Sequence, residues 1–195
     1  FMVFGCALWL SQAASLQAIA FYIMDRLALT PDQGLQLASV ALTAGAAGLI
    51  VAQLVVIPAL KTSPRVLMIL GAGLVIAGNV ELVFAPNYAA LVFGYILNAF
   101  GFGLCRSGFT GGASLAVTPE EQGRAAGLTT ATAGVGFMIA PITGLWLYQA
   151  VAPIAPFALN AVLAGAGLAV AVLHPRVRAA AAKALDRDQD GPGVV

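Results

Sequence analysis

Arg106 and Glu81 are charged side chains that stand inside long apolar segments of this 195-residue chain. A charge at the centre of a membrane helix costs about 2.5–3.5 kcal/mol, so it is normally neutralised or used. Three interpretations of Arg106 stay open: its side chain reaches the membrane surface, it pairs with a carboxylate outside this chain, or it contacts a substrate. Glu81 is either an interfacial carboxylate that reaches water or a proton or cation site.

Polar residues, with Phe102 among them, recur at helical spacing in three of the apolar segments. The members are, segment by segment, Ser11, Gln12 and Ser15; Gln36, Ser39 and Thr43; and Tyr95, Asn98, Phe102 and Arg106. Residues three, four or seven positions apart share one face of a helix. These stripes predict either the wall of a polar cavity or hydrogen bonds that hold helices together.

The elements that carry these residues are predicted to be membrane-spanning helices. The chain is 61% hydrophobic and 9% charged, whereas soluble domains are about 45–50% apolar and about 25% charged. A helix needs roughly 20 apolar residues to cross a bilayer. Six segments are long enough, at about 1–24, 35–60, 66–84, 88–117, 127–151 and 154–173. The sequence therefore predicts an all-α membrane protein with a six-helix unit over 1–175 and a partly disordered cytoplasmic tail over 176–195.

Basic residues between the predicted helices are concentrated on one side of the membrane. With six helices, that side carries Lys61, Arg65, Arg124, Arg176, Arg178, Lys183 and Arg187, and the other side carries Arg26. Because basic loops stay in the cytoplasm, both ends of the segment are expected to be cytoplasmic, in an inner membrane. The net charge of +1 is too small to indicate a nucleic-acid partner. The chain enters a hydrophobic segment at once, without a signal-peptide pattern, and is interpreted as a piece of a longer protein.

The fifth predicted helix is unusually rich in small residues, which let membrane helices approach closely. Two faces are expected to pack, and their members are Gly123, Gly127, Ala131 and Gly134 on one and Gly136, Ala140 and Gly144 on the other. The fourth helix carries a further face of this kind, with Gly94, Gly101, Cys105 and Gly108. Pro141 removes a backbone donor inside the fifth helix and predicts a bend. A static bundle with the same packing remains the alternative to helices that move.

Catalytic and metal-binding chemistry is not indicated by the sequence. An intramembrane serine protease would need a nucleophile beside a histidine, whereas His174 is the sole histidine and stands at a helix end before Pro175. The tail segment DRDQDG resembles half of a calcium loop, but Pro192 and the chain end interrupt the pattern. We therefore predict a protein that is not an enzyme and has neither a cofactor nor a metal site.

The segment GFGLCRSGFTGGASLAVTPEEQGRAAGLTTATAGVGFMIAPITGLWLY, residues 101–148, resembles the tenth and eleventh helices of the major facilitator superfamily, in its drug and tetracycline proton antiporter branch. PEEQGRAAGL, residues 119–128, is similar to the turn before the eleventh helix, and GFMIAPITG, residues 136–144, resembles an echo of the antiporter motif. ALKTSPR, residues 59–65, departs from the family's gating motif because it keeps Lys61 and Arg65 without the glycine and the aspartate.

The resemblance implies that this chain is the carboxyl-terminal half of a proton-coupled efflux antiporter that works by alternating access. Its partners would be a small-molecule substrate, a proton, the lipid bilayer and an amino-terminal six-helix half. The implied cavity residues are Gln12, Ser15, Gln36, Ser39, Tyr95, Asn98, Arg106, Thr129, Thr130 and Thr132. The implied packing and gating residues are Gly123, Arg124, Gly127, Gly134, Gly136, Pro141 and Gly144. Glu81 is a possible proton site. A homo-oligomeric six-helix channel and a non-transporting membrane sensor remain alternatives.

Overall fold

The computed structural model describes residues 2–60 and 62–173, and within these ranges every regular element is helical. Six helices of the described ranges are long and apolar enough to cross a membrane. They are α1 (Met2–Arg26), α2 (Pro31–Leu60), α3 (Pro64–Phe84), α4 (Tyr88–Leu115), α5 (Gln122–Ala150) and α6 (Ala155–Leu173). The predicted fold class is confirmed, whereas the predicted tail over 176–195 lies outside the described residues.

Three helices begin earlier in the chain than the hydropathy pattern predicts, and for α2 and α5 the difference is largest because polar residues form their first turns. α2 begins at Pro31, where proline is favoured in a first helical turn, and the backbone N–H of Thr30 donates to Gln33 at 3.4 Å. Before α5, a single 3-10 turn spans Pro119–Glu121, and the Thr118 N–H donates to Glu121 at 3.5 Å. The charged segment expected to be a turn is therefore mostly helical.

α2 contains one widened turn, a π-helical segment over Ala52–Val56. The N–H of Ile57 reaches the carbonyl of Ala52, five residues earlier. This segment ends two residues before Pro58, which has no N–H to donate to the Leu54 carbonyl and would clash with it in a regular helix. The widened turn accommodates the proline without ending the helix.

The bundle is built around α1 and α4. α3 packs extensively on α4 and also on α6, which in turn packs on α1, so that α3 and α6 cover one side of the central pair. α2 packs mainly on α4, and α5 packs mainly on α1. Thus α2, the second helix of α1–α3, contacts α4, and α5, the second helix of α4–α6, contacts α1. These two helices, α2 and α5, remain the least buried.

Glycines allow α3 and α4 to approach backbone to backbone. A Cβ added at Gly71 would lie 2.6 Å from the Gly101 carbonyl oxygen, and one at Gly78 would lie 2.5 Å from the Asn98 nitrogen. On α4, a Cβ at Gly101 would lie 2.7 Å from the Val75 nitrogen. Because real Cβ atoms do not approach so closely, this interface requires glycine on both helices.

Side chains at both ends of the bundle hold its helices together. Arg65 at the start of α3 donates to the carbonyls of Ala171 and Val172 at 3.0 and 3.1 Å, which satisfies acceptors in the last turn of α6. At the opposite end, the Tyr22 hydroxyl donates to the Leu82 carbonyl at 2.9 Å and joins α1 to α3. These bonds fix the side formed by α3 and α6.

Candidate functional site

Exposed polar side chains divide the six helices into two groups. All exposed side chains of α3 and α6 are apolar, as a lipid-facing surface requires. In contrast, the other four helices expose polar side chains, which include Gln17 of α1 and, on α2, α4 and α5, Gln36, Ser39, Thr43, Arg106, Thr110, Ser114, Arg124 and Thr130. Polar groups within membrane helices usually face other helices or a water-filled cavity rather than lipid. The site is therefore to be sought away from α3 and α6, on the side that α1, α2, α4 and α5 contribute to.

Arg106 lies in an open groove between α1, α4 and α5, hereafter the Arg106 groove. The groove has a volume of about 210 Å³ and is lined by Trp9, Arg106, Thr110, Thr129, Thr130 and Ala133. The carbon at the centre of the guanidinium lies 5.4 Å from the centroid of the Trp9 ring, within the range of a cation–π interaction. A second groove along α4 and α5 shares Thr110, Thr129 and Thr130 with it and extends toward the beginning of α5.

Trp9 is held in place by aromatic side chains from two neighbouring helices. Its ring meets Phe102 of α4 edge-on at 5.2 Å between centroids and Phe137 of α5 at 5.7 Å. A Cβ at Gly136 would lie 2.6 Å from the Trp9 Cβ, so glycine is needed for α5 to come this close to α1. The sequence analysis did not single out Trp9, because its relation to Arg106 depends on how α1 and α4 pack.

Three of the residues expected to line the cavity lie inside the bundle instead. The exposed fractions of Ser15, Tyr95 and Asn98 are 0%, 3% and 3%. The Ser15 hydroxyl accepts a hydrogen bond from Asn98 at 3.5 Å and another from Asn160 of α6. Asn160 was absent from the sequence-based set, since no polar spacing on α6 marks it. The arrangement is that of hydrogen bonds that hold α1, α4 and α6 together.

Replacement of Ser15 by alanine is expected to destabilise the bundle by about 1–3 kcal/mol, because two buried amides lose their acceptor. Thermal unfolding in detergent would measure the change. Ser39→Ala is the matched control, since Ser39 is exposed and its hydroxyl donates to the Gln36 carbonyl of its own helix. Equal melting temperatures for the two variants would contradict a structural role for Ser15.

Apart from Thr132, the remaining polar residues of the predicted set are accessible. Gln36, Ser39 and Thr130 are exposed, and Gln12 is half-buried. Thr129 is half-buried in the Arg106 groove, whereas Thr132 is buried and donates to the Thr129 carbonyl at 2.6 Å. The structure thus brings Arg106, Thr129 and Thr130 together but leaves the α2 stripe on another helix.

The two small-residue faces of α5, both expected to pack closely, have different surroundings within this chain. Gly136, with Gly144, lies against α1, where a Cβ at Gly144 would be 3.1 Å from Ala14. Added Cβ atoms at the three glycines of the other face would meet nothing within 4 Å; these are Gly123, Gly127 and Gly134. The reason is that α5 packs mainly on α1 and only sparsely on α4 and α6. Arg124 is exposed, and the helix continues through an exposed Pro141.

Glu81 is half-buried on α3, where its Cβ faces Gly94 of α4. Two further contacts are made by the last residues of α1. Asp25 accepts a hydrogen bond from the Tyr148 hydroxyl of α5, and Arg26 donates to the Ala85 carbonyl at 3.3 Å. The sequence analysis missed the Asp25–Tyr148 pair, because the two residues are 123 positions apart. This pair links the ends of α1 and α5.

The sequence matches the family model described as Major Facilitator Superfamily over residues 1–192. A comparison with curated proteins returned no match. Among residues 2–60 and 62–173, the structure contains no cluster of side chains suited to hold a metal ion.

Proposed function

Because the chain belongs to the major facilitator superfamily, a family of membrane transporters, we propose that it forms one six-helix unit of a proton-coupled efflux antiporter for drugs or metabolites. A second six-helix unit would face the side formed by α2, α4 and α5. Substrate would bind between the units, and rocking of one unit against the other would expose it to each side of the membrane in turn.

The observation that carries this proposal is the separation of lipid-compatible and polar surfaces. The exposed side chains of α3 and α6 are all apolar, whereas Gln36, Arg106 and Thr130 are exposed on the other helices. Exposure of a guanidinium and a polar stripe to hydrocarbon would be costly, so this side favours contact with water or with further protein. The open face with Gly127 and Gly134 offers a smooth surface of the kind that closely packed helices use.

Orientation and coupling belong to the same proposal. The beginnings of α3 and α5, with Arg65 and Arg124, would face the cytoplasm together with both ends of this segment in an inner membrane. Glu81 is a candidate proton site, and carboxylates of the second unit are others. The drug and tetracycline branch is favoured by the resemblance of residues 101–148.

The experiment is a flux measurement with the full-length protein in proteoliposomes loaded with the pH indicator pyranine. Under an imposed pH gradient, tetracycline, salicylate and ethidium are added in turn. We expect at least one to produce saturable proton movement that protein-free liposomes lack. Unitary conductance steps in planar bilayers would instead support a homo-oligomeric channel, and binding without flux would support a sensor.

A further inference from the structure

We propose that the Arg106 groove binds the anionic group of the transported compound, so that the preferred substrates are organic anions such as carboxylates. This inference rests on the proposed transport function, and it deepens that function by assigning a substrate class. It combines the charge of the groove, the way the guanidinium is held and the direction in which its side chain extends.

The charge of the groove is positive. Of its six lining residues, Arg106 is charged, and the others are apolar, aromatic or threonine. The Thr129 and Thr130 hydroxyls donate to the Ala126 carbonyl at 2.8 and 3.0 Å, so their protons are already used within α5. The guanidinium is therefore the principal donor offered to a ligand, and its charge-assisted bonds favour a carboxylate over a neutral amide.

Contact with Trp9 restricts the guanidinium. An arginine over an aromatic ring keeps its charge and can still direct its N–H groups outward in a planar fork, which matches the two oxygens of a carboxylate. Trp9 is itself packed between Phe102 and Phe137. Arg106 is thereby held in place before a ligand arrives, which reduces the entropy lost on binding.

The alternative that Arg106 only reaches the membrane surface fits the geometry less well. Arg106 is nine residues before Leu115, the last residue of α4, which corresponds to about 14 Å along the helix axis. Its guanidinium lies over Trp9 of α1, whose ring also meets Phe102, one helical turn farther from that end of α4. A snorkelling arginine extends along its own helix toward the headgroups.

The test is calorimetric titration of the full-length protein in lipid nanodiscs with matched compounds. Each compound carries one of three apolar groups, hexyl, phenyl or naphthyl, and each apolar group is tested with a carboxylate, a carboxamide and an amine. We expect at least one carboxylate to bind more tightly than its amide and amine. Arg106→Gln should lower the affinity for that carboxylate by about ten- to a hundredfold and leave the affinity for the amide unchanged.

Two further variants separate a binding role from a folding defect. Arg106→Lys keeps the charge but not the planar fork and should restore part of the affinity, whereas Trp9→Leu should weaken carboxylate binding with the charge intact. Trp146→Leu is the control for loss of a tryptophan, because Trp146 is 61% exposed on α5 and does not line the groove. Size-exclusion chromatography gives the folded fraction of each variant, and affinities are compared at equal concentrations of folded protein.

The proposal is overturned if no carboxylate is preferred over its amide, or if Arg106→Gln leaves that preference intact. Failure of the transport function has a different signature. Arg106-dependent carboxylate binding without flux would reject transport and retain the anion site. Saturable flux that Arg106→Gln does not alter would retain transport and reject the anion site.

Discussion

Replacing Gly71 or Gly101 with leucine is expected to prevent the bundle from folding stably. Both positions lie where α3 and α4 touch backbone to backbone, and even a Cβ there would come within 2.6–2.7 Å of backbone atoms of the other helix. Overpacking a core costs about 1–3 kcal/mol when neighbours can adjust. Backbone atoms of two packed helices adjust less than side chains do, so the effect should reach or exceed the upper end of that range.

The measurement is the yield of monodisperse protein and its melting temperature in detergent. A loss of about 3 kcal/mol corresponds to roughly 6–12 °C for a chain of this size. Gly73→Leu is the matched control on α3, because Gly73 is exposed and a Cβ there would meet nothing within 4 Å. If Gly71→Leu behaves like Gly73→Leu, the close contact between α3 and α4 does not exist in the protein.

Replacing both Gly127 and Gly134 with leucine is expected to reduce transport by about tenfold or more while leaving the amount of folded protein unchanged. No other helix of the described chain lies within 4 Å of a Cβ at either position, so the six-helix unit has room for the new side chains. If the proposed second unit packs on this face during transport, the leucines should raise the free energy of that packing by about 1–3 kcal/mol. Each 1.4 kcal/mol changes an equilibrium constant by a factor of about ten.

Gly136 supplies the contrast, because it lies two positions from Gly134 but on the side that contacts α1. A Cβ at Gly136 would lie 2.9 Å from the backbone nitrogen of Leu10. Gly136→Leu should therefore reduce folding itself, together with the melting temperature. Normal flux by the Gly127→Leu/Gly134→Leu double variant, at wild-type expression, would show that no moving partner uses the open face.

Much of the fold could be predicted from the sequence because the bilayer imposes a length and a polarity on every spanning helix. All six predicted segments overlap helices of the structure. Errors at the helix ends arose where a polar first turn is helical, as at Pro31 and Gln122. The small-residue face of α4 was also recognisable, since glycines at helical spacing have few other uses in a membrane helix.

The candidate site was only partly predictable. Arg106 and Thr130 stand out by residue type, and both line the same groove. Ser15 and Asn98 have the same polar character but lie inside the bundle, where they bond one another. Sequence spacing gives the face of a helix on which a residue lies, but it does not tell which helix, if any, covers that face.

The sequence by itself determined the six membrane-spanning helices within residues 2–60 and 62–173, their small-residue faces and one arginine of special interest. Only the tertiary structure decided that α2 packs on α4 and α5 on α1. That packing placed Trp9 beside Arg106 and left the face with Gly127 open. The physical reason is that hydropathy acts on each helix separately, whereas packing depends on contacts between residues distant in the chain.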